Sequence, residues 1–156
     1  MQPGLLDESK PFQTFDELVE AMEKMTDDPL YSAGTNMVIY RGNPATKLMI
    51  IGEAPGTNEN EQRKPFVGRS GKLLDQIMQA AGFDPEQDLM VTNAVFRLPP
   101  GKDGKPLRKP TNAEIAYYMP YLLEIVRLVD PKIILLTGNV PTQSILGKTG
   151  ITKLRG

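Results

Sequence analysis

The chain has 156 residues and a formal net charge of −1, which suits one domain large enough to bury its own core. It contains no cysteine and no histidine, which excludes disulfides, thiolate metal sites, cysteine nucleophiles and imidazole acids, bases or ligands. No apolar run is long enough to span a bilayer and no signal-peptide pattern precedes Phe12, so a soluble, cytoplasmic monomer is the expectation.

Met1 to Pro11 reads as a loose terminus. Thr14-x-x-Glu17 is a capping box, and Phe15, Leu18, Val19 and Met22 recur at helical spacing, so a helix is predicted to run to about Met25. Asn36 to Tyr40 suits a short strand, and Arg41 to Pro44 a turn. Leu48 to Ile51 is a short apolar run closed by Gly52, as expected of a buried parallel strand. A polar, acidic loop follows. Ser70 can cap a helix opening at Gly71, with Leu73, Leu74, Ile77, Met78 and Ala81 as its apolar face and Gly82 as its stop.

Asp88 to Val95 is the second strand, ending on the polar pair Thr92 and Asn93. Pro99 to Pro110 is rich in proline, glycine and charge and reads as a long exposed loop. Thr111-x-x-Glu114 opens a helix in which Ile115, Tyr118, Leu122, Ile125, Val126 and Val129 face the core, with Pro120 expected to kink or split it. Ile133 to Thr137 is the third strand and Val140 to Leu146 a short helix. This alternation predicts a single three-layer α/β/α domain with a mainly parallel sheet, Leu48–Ile51 in the middle.

Open α/β sheets bind ligands at the carboxyl ends of their strands. Here those ends carry Gly52-Glu53-Ala54-Pro55-Gly56 and Asn93. The glycines and proline force a tight turn and let backbone approach a ligand, although a plain strand-to-helix connection would also use them. Phe66, in a loop flanked by proline and glycine, reads either as a core residue or as an aromatic plate. Asn93 either bonds to a turn or presents its amide to the cleft. Residues 1–30 hold eight acidic and two basic side chains. The compensating positive charge gathers at Arg63, Lys64, Arg69 and Lys72, and at Arg97, Lys102, Lys105, Arg108 and Lys109. A basic rim beside a cleft suits a phosphate backbone; ordinary solvated surface is the alternative.

The string Gly-Glu-Ala-Pro-Gly, an acidic loop, Pro65-Phe66-Val67-Gly68-Arg69-Ser70-Gly71 and Leu73-Leu74-Asp75 resembles the first motif of family 4 uracil-DNA glycosylases, the thermostable iron–sulfur branch of that superfamily. Thr92-Asn93-Ala94-Val95 with Pro99-Pro100, Pro131 to Gly138, and Ile151 to Gly156 are similar to later stretches of the same family. The resemblance runs from about Met25 to Gly156. It implies removal of uracil from DNA by hydrolysis of the N-glycosidic bond, on a nucleotide flipped into a pocket. It assigns base stacking to Phe66, uracil recognition to Asn93, and uracil contacts to the backbone around Ala54 and Gly56. Glu59 matches an acidic residue that could orient water or stabilise charge on the sugar, and Glu53 matches the first-motif glutamate. Arg63, Lys64, Arg69, Lys102, Lys105 and Arg108 are the expected contacts to the DNA backbone.

The chain departs from the family in three ways. The family's four cluster cysteines fall on Met25, Asp28, Arg97 and Tyr118, so no iron–sulfur cluster, and no metal or other cofactor, is expected. The asparagine after the double proline falls on Lys102 or Asp103. The family's last motif, His-Pro-Ser, belongs beyond Gly156, so its donor histidine and a fourth parallel strand are expected to be missing. Uracil binding with little excision is the resulting expectation. The alternative is a non-catalytic DNA- or protein-binding module on the same fold, as part of a larger replication or repair protein; a nucleotide hydrolase lacks the paired acids it would need.

Overall fold

The computed structural model describes residues 12–102 and 107–147. Helix α1 (Phe15–Glu23) starts at Thr14, whose hydroxyl accepts the Glu17 N–H at 3.1 Å. Strands β1 (Tyr40–Gly42) and β2 (Leu48–Gly52) follow, then helices α2 (Thr57–Gln62) and α3 (Arg69–Ala80). Strand β3 (Leu89–Asn93), helix α4 (Asn112–Val129), strand β4 (Ile133–Leu136) and helix α5 (Asn139–Leu146) complete the described part.

The sheet order is β1-β3-β2-β4. β2 pairs in parallel with β3 on one side and β4 on the other, so the central strand is the expected one. β1 joins the far side of β3 antiparallel. Met49, Ile51 and Met90 pack into a core with Leu18 and Met22 of α1 and with Ile115, Tyr118, Leu122 and Ile125 of α4. On the other face Ile50, Leu89 and Val91 meet Leu74 and Met78 of α3. Alternate side chains of each strand thus serve opposite faces, which is what a sheet covered on both sides requires.

Several expectations need correction. The first strand, Tyr40–Gly42, begins at the last residue of the expected strand and runs into the segment expected to turn, although Val38 N–H still bonds to the Phe96 carbonyl at 2.8 Å. The acidic loop contains the short helix α2. Gly68, not Ser70, is the N-cap of α3. Leu73 and Ile77 of α3 are 56% and 53% exposed. The inward stripe is instead Gly71, Leu74, Asp75 and Met78, at helical spacing, because Gly71 and Asp75 are held against the neighbouring loop and β1. Pro120 does not split α4. Both Pro120 and Ala116, whose carbonyl loses its helical donor, are on the exposed side, where water can replace that bond. β4 lies at the sheet edge, with Ile133 and Leu135 exposed.

Candidate active site

The parallel register sets Gly52 directly beside Asn93. The pairing continues past the strand ends, with the Ala94 N–H on the Gly52 carbonyl at 2.8 Å and the Val95 N–H on that of Glu53 at 3.0 Å. The space that a Cβ on Gly52 would fill is taken from two sides. Such an atom would lie 2.4 Å from Cε2 and Cζ of the Phe66 ring and 2.6 Å from Oδ1 of Asn93. An aromatic edge and an amide oxygen therefore converge over a bare stretch of backbone. Asn93 is 2% exposed.

Phe66 has φ 55°, left-handed backbone that costs an aromatic residue of order 1–2 kcal/mol. Three contacts hold it there. The buried Arg41 donates from Nε to the Pro65 carbonyl at 2.8 Å, and from Nη2 to the Phe66 carbonyl at 2.9 Å and to Asp75 Oδ1 at 2.8 Å. Gly71 lies under the loop so closely that a Cβ there would sit 1.9 Å from the Phe66 carbonyl oxygen. Glu59 completes the frame. Its Oε1 accepts the Gly56 N–H at 3.0 Å, and its Oε2 accepts those of Val67 at 2.9 Å and Gly68 at 2.6 Å. One carboxylate thus joins the turn after β2 to the loop carrying Phe66. Phe66 also packs against the Ile50 cluster, as its reading as a core residue requires.

Glu53, Ala54, Pro55 and Gly56 line a cavity of about 460 Å³ with Leu98, Pro99, Leu107, Arg108 and Lys109. A groove of about 870 Å³ continues past Gly56 and Glu59 to Arg69, Lys72 and Leu73. Gly56 and Leu107 border both. A larger concavity, about 940 Å³, is lined by Met25, Tyr31, Thr35, Asn36, Arg63 and Arg97 among others and shares no residue with the strand-end cleft.

Among the expected phosphate contacts, Arg63, Lys64, Arg69 and Lys102 are exposed, and none forms an ion pair among the described residues. Arg108 is committed elsewhere. Its Nη1 and Nη2 bond to Oε1 and Oε2 of Glu114, both at 2.8 Å. That fork and the Thr111 N–H hold the Glu114 carboxyl below the usual carboxylate range. Lys105 lies outside the described residues. Arg41, which reads as a turn residue in the sequence, is the residue that reasoning missed; the only sequence signal for it is its partner Asp75, within the Leu-Leu-Asp string.

The four positions matching cluster cysteines come together. Arg97 Nε donates to Asp28 Oδ2 at 2.7 Å and Nη2 to the Met25 carbonyl at 3.0 Å, while the Tyr118 hydroxyl donates to the same Asp28 oxygen. All four residues are buried. A thioether, one carboxylate, a phenol and a guanidinium do not fit a cluster that needs four thiolates, and the guanidinium cation would repel iron. Burial and the adjacent Asp28 carboxylate push the Tyr118 phenol up, so it stays a donor.

The model of the uracil DNA glycosylase superfamily matches residues 39–155. A type-4 uracil-DNA glycosylase of Sulfurisphaera tokodaii is 39% identical over 133 residues, 81% of this chain and 58% of that protein. The type-4 uracil-DNA glycosylase of Thermotoga maritima is 34% identical over 139 residues, 88% of this chain and 69% of that protein. A DNA polymerase of Bacillus phage SP01 is 33% identical over 116 residues, 74% of this chain but 12% of the polymerase. The chain belongs to the uracil DNA glycosylase superfamily. It spans between about half and about seven-tenths of the length of the two glycosylases.

Proposed function

We propose that this chain recognises uracil in DNA, received as a flipped or single-stranded nucleotide in the cleft at the ends of β2 and β3, and that its reaction class is hydrolysis of the uracil N-glycosidic bond. The observation that carries this reading is the convergence of the Phe66 ring and the Asn93 amide on Gly52. Phe66 stacks on the base. Asn93 pairs with O4 and N3–H of uracil, where cytosine presents the opposite donor–acceptor pattern. Backbone around Ala54 and Gly56 holds the pyrimidine oxygen, and Glu53, which lines the same cavity, suits the positive charge developing on the sugar. Glu59 acts through the backbone it holds and is a positioning residue. Arg63, Lys64, Arg69, Lys102 and Lys105 contact phosphates.

These 156 residues hold no histidine, so no imidazole donates to the departing uracil from within them. Losing one such donor costs about a hundred- to a thousandfold in rate. The expected behaviour is uracil-dependent binding with slow excision. Abasic-site formation on a uracil-containing oligonucleotide, assayed beside binding, tests this. Phe66→Ala and Asn93→Ala should each abolish the preference for uracil over thymine and cytosine; a parent chain with no such preference would overturn the reading.

The similarity to a short part of a phage DNA polymerase favours a second reading, a binding module carried by a replication enzyme. Uracil-dependent binding with no abasic product at stoichiometric protein would select that alternative.

A further inference from the structure

The residues at the cluster-cysteine positions form a network that the uracil-binding reading does not use. Asp28 follows α1, Arg97 follows β3 and Tyr118 sits within α4. Asp28 Oδ2 receives donors from residues 69 and 90 positions away. Arg97 then reaches outward from the same point. Its Nη2 holds the Met25 carbonyl, its Nη1 holds the Thr35 carbonyl at 2.5 Å, and its guanidinium lies 5.2 Å from the Tyr31 ring centroid. The Asp28 and Arg97 side chains are 0% and 5% exposed, so the pair is desolvated.

We propose that this network takes the place of the family's iron–sulfur cluster as the cross-link between the N-terminal segment, β3 and α4, and that it makes the fold independent of metal and of redox state. A cluster ties distant segments through metal–sulfur bonds. Here one carboxylate oxygen does so with two charge-assisted hydrogen bonds, and the Met25 side chain fills apolar volume beside it. The net charge of the ion pair is zero; Asp28 Oδ2 takes both bonds while Oδ1 is buried without a hydrogen-bond partner among the described residues, so removing Arg97 or Asp28 leaves a buried charge with nothing to compensate it.

The network also leads toward the cleft. Beyond the Thr35 carbonyl, the Asn36 N–H donates to Asn60 Oδ1 at 2.7 Å, and Asn36 Nδ2 donates to the Asn60 carbonyl at 2.8 Å. Asn60 lies in α2, next to Glu59. The clamp thus supports, through one peptide unit, the helix that anchors the Phe66 loop.

The test uses the full chain. Iron and acid-labile sulfide are assayed after purification, and melting is followed with and without a chelator and a mild oxidant. Neither iron nor sulfide should be stoichiometric, and neither reagent should move Tm. Asp28→Asn leaves Arg97 buried and unpaired and should lower Tm by about 10 °C. Tyr118→Phe, which keeps the ring, should lower it by less, and the double variant by less than the two combined, because both changes act on one carboxylate oxygen. Arg97→Lys, which cannot span the Met25 and Thr35 carbonyls, should speed amide exchange at Asn36. Tyr118→Phe and Arg97→Lys carry the test if Asp28→Asn fails to fold. Stoichiometric iron and sulfide, a chelator-dependent Tm, or Tyr118→Phe and Arg97→Lys variants as stable as the parent would overturn the proposal.

Discussion

Replacing Gly52 with alanine perturbs the candidate site by one methyl group. That methyl would lie 2.4 Å from the Phe66 ring and 2.6 Å from Asn93 Oδ1. Ordinary carbon–carbon contact begins near 3.5 Å, so the ring must withdraw by about 1 Å. It has little room to do so by moving its backbone. Arg41 holds the Phe66 carbonyl, and Gly71 packs directly beneath it. The ring must therefore rotate, and Asn93 must shift with it. Overpacking of this kind costs about 1–3 kcal/mol, which for a domain of this size lowers Tm by roughly 5 °C. The effect on binding should be larger than that loss implies, because a stacking plate contributes about 1–3 kcal/mol per base and the amide is displaced as well. Gly52→Ala should thus stay folded and bind a uracil-containing oligonucleotide at least tenfold more weakly, by about 1.4 kcal/mol. Thermal melting and fluorescence titration read the two quantities separately. A variant that melts and binds like the parent would refute the convergence of Phe66 and Asn93 on this spot.

Glu59→Gln leaves one acceptor oxygen for the three backbone N–H groups of Gly56, Val67 and Gly68 and turns an NH₂ toward donors. It should cost about 2–3 kcal/mol in unfolding free energy and weaken uracil binding with it; unchanged melting with abolished excision would assign Glu59 a chemical role instead. Glu114 has a depressed carboxyl, so its contribution is present above the unfolded carboxylate value and is lost as pH falls through the lower folded one. Glu114→Gln should remove about 1–2 kcal/mol at neutral pH, allowing for solvent on Arg108, and flatten the acid limb of a Tm–pH profile. Arg63→Ala, Lys64→Ala and Arg69→Ala should weaken binding to all DNA and each reduce the salt slope by about 1, whereas Arg108→Ala should chiefly lower Tm.

The three parallel strands were legible because each is a short apolar run followed by a helical pattern, whereas the antiparallel place of β1 beside β3 was not. Helix α2 was not, because Thr57 to Gln62 is polar throughout and shows no apolar stripe. The orientation of α3 is hidden for a related reason. Leucine and isoleucine at 73 and 77 suggest a buried face, but the helix is turned by a glycine that must touch Phe66 and an aspartate that must reach Arg41. Phe66 and Asn93 could be singled out as a plate and an amide, yet only the register of β2 and β3 brings them to one point. The work of Glu59 and Arg41 is hidden from sequence reading because most of their partners are backbone groups, which leave no residue-type signature. Met25, Asp28, Arg97 and Tyr118 were grouped by their match to the cluster-cysteine positions, but the hydrogen bonds that join Asp28, Arg97 and Tyr118 show only in three dimensions.

The most direct test of uracil recognition at the ends of β2 and β3 is an NMR titration of the chain with uracil and then with a short uracil-containing oligonucleotide. The account predicts that the amides of residues 53–56, 66 and 93 shift with both ligands, and that the shifts at 66 and 93 are absent with a thymine-containing control. Uracil-dependent shifts elsewhere, or none at those positions, would contradict it.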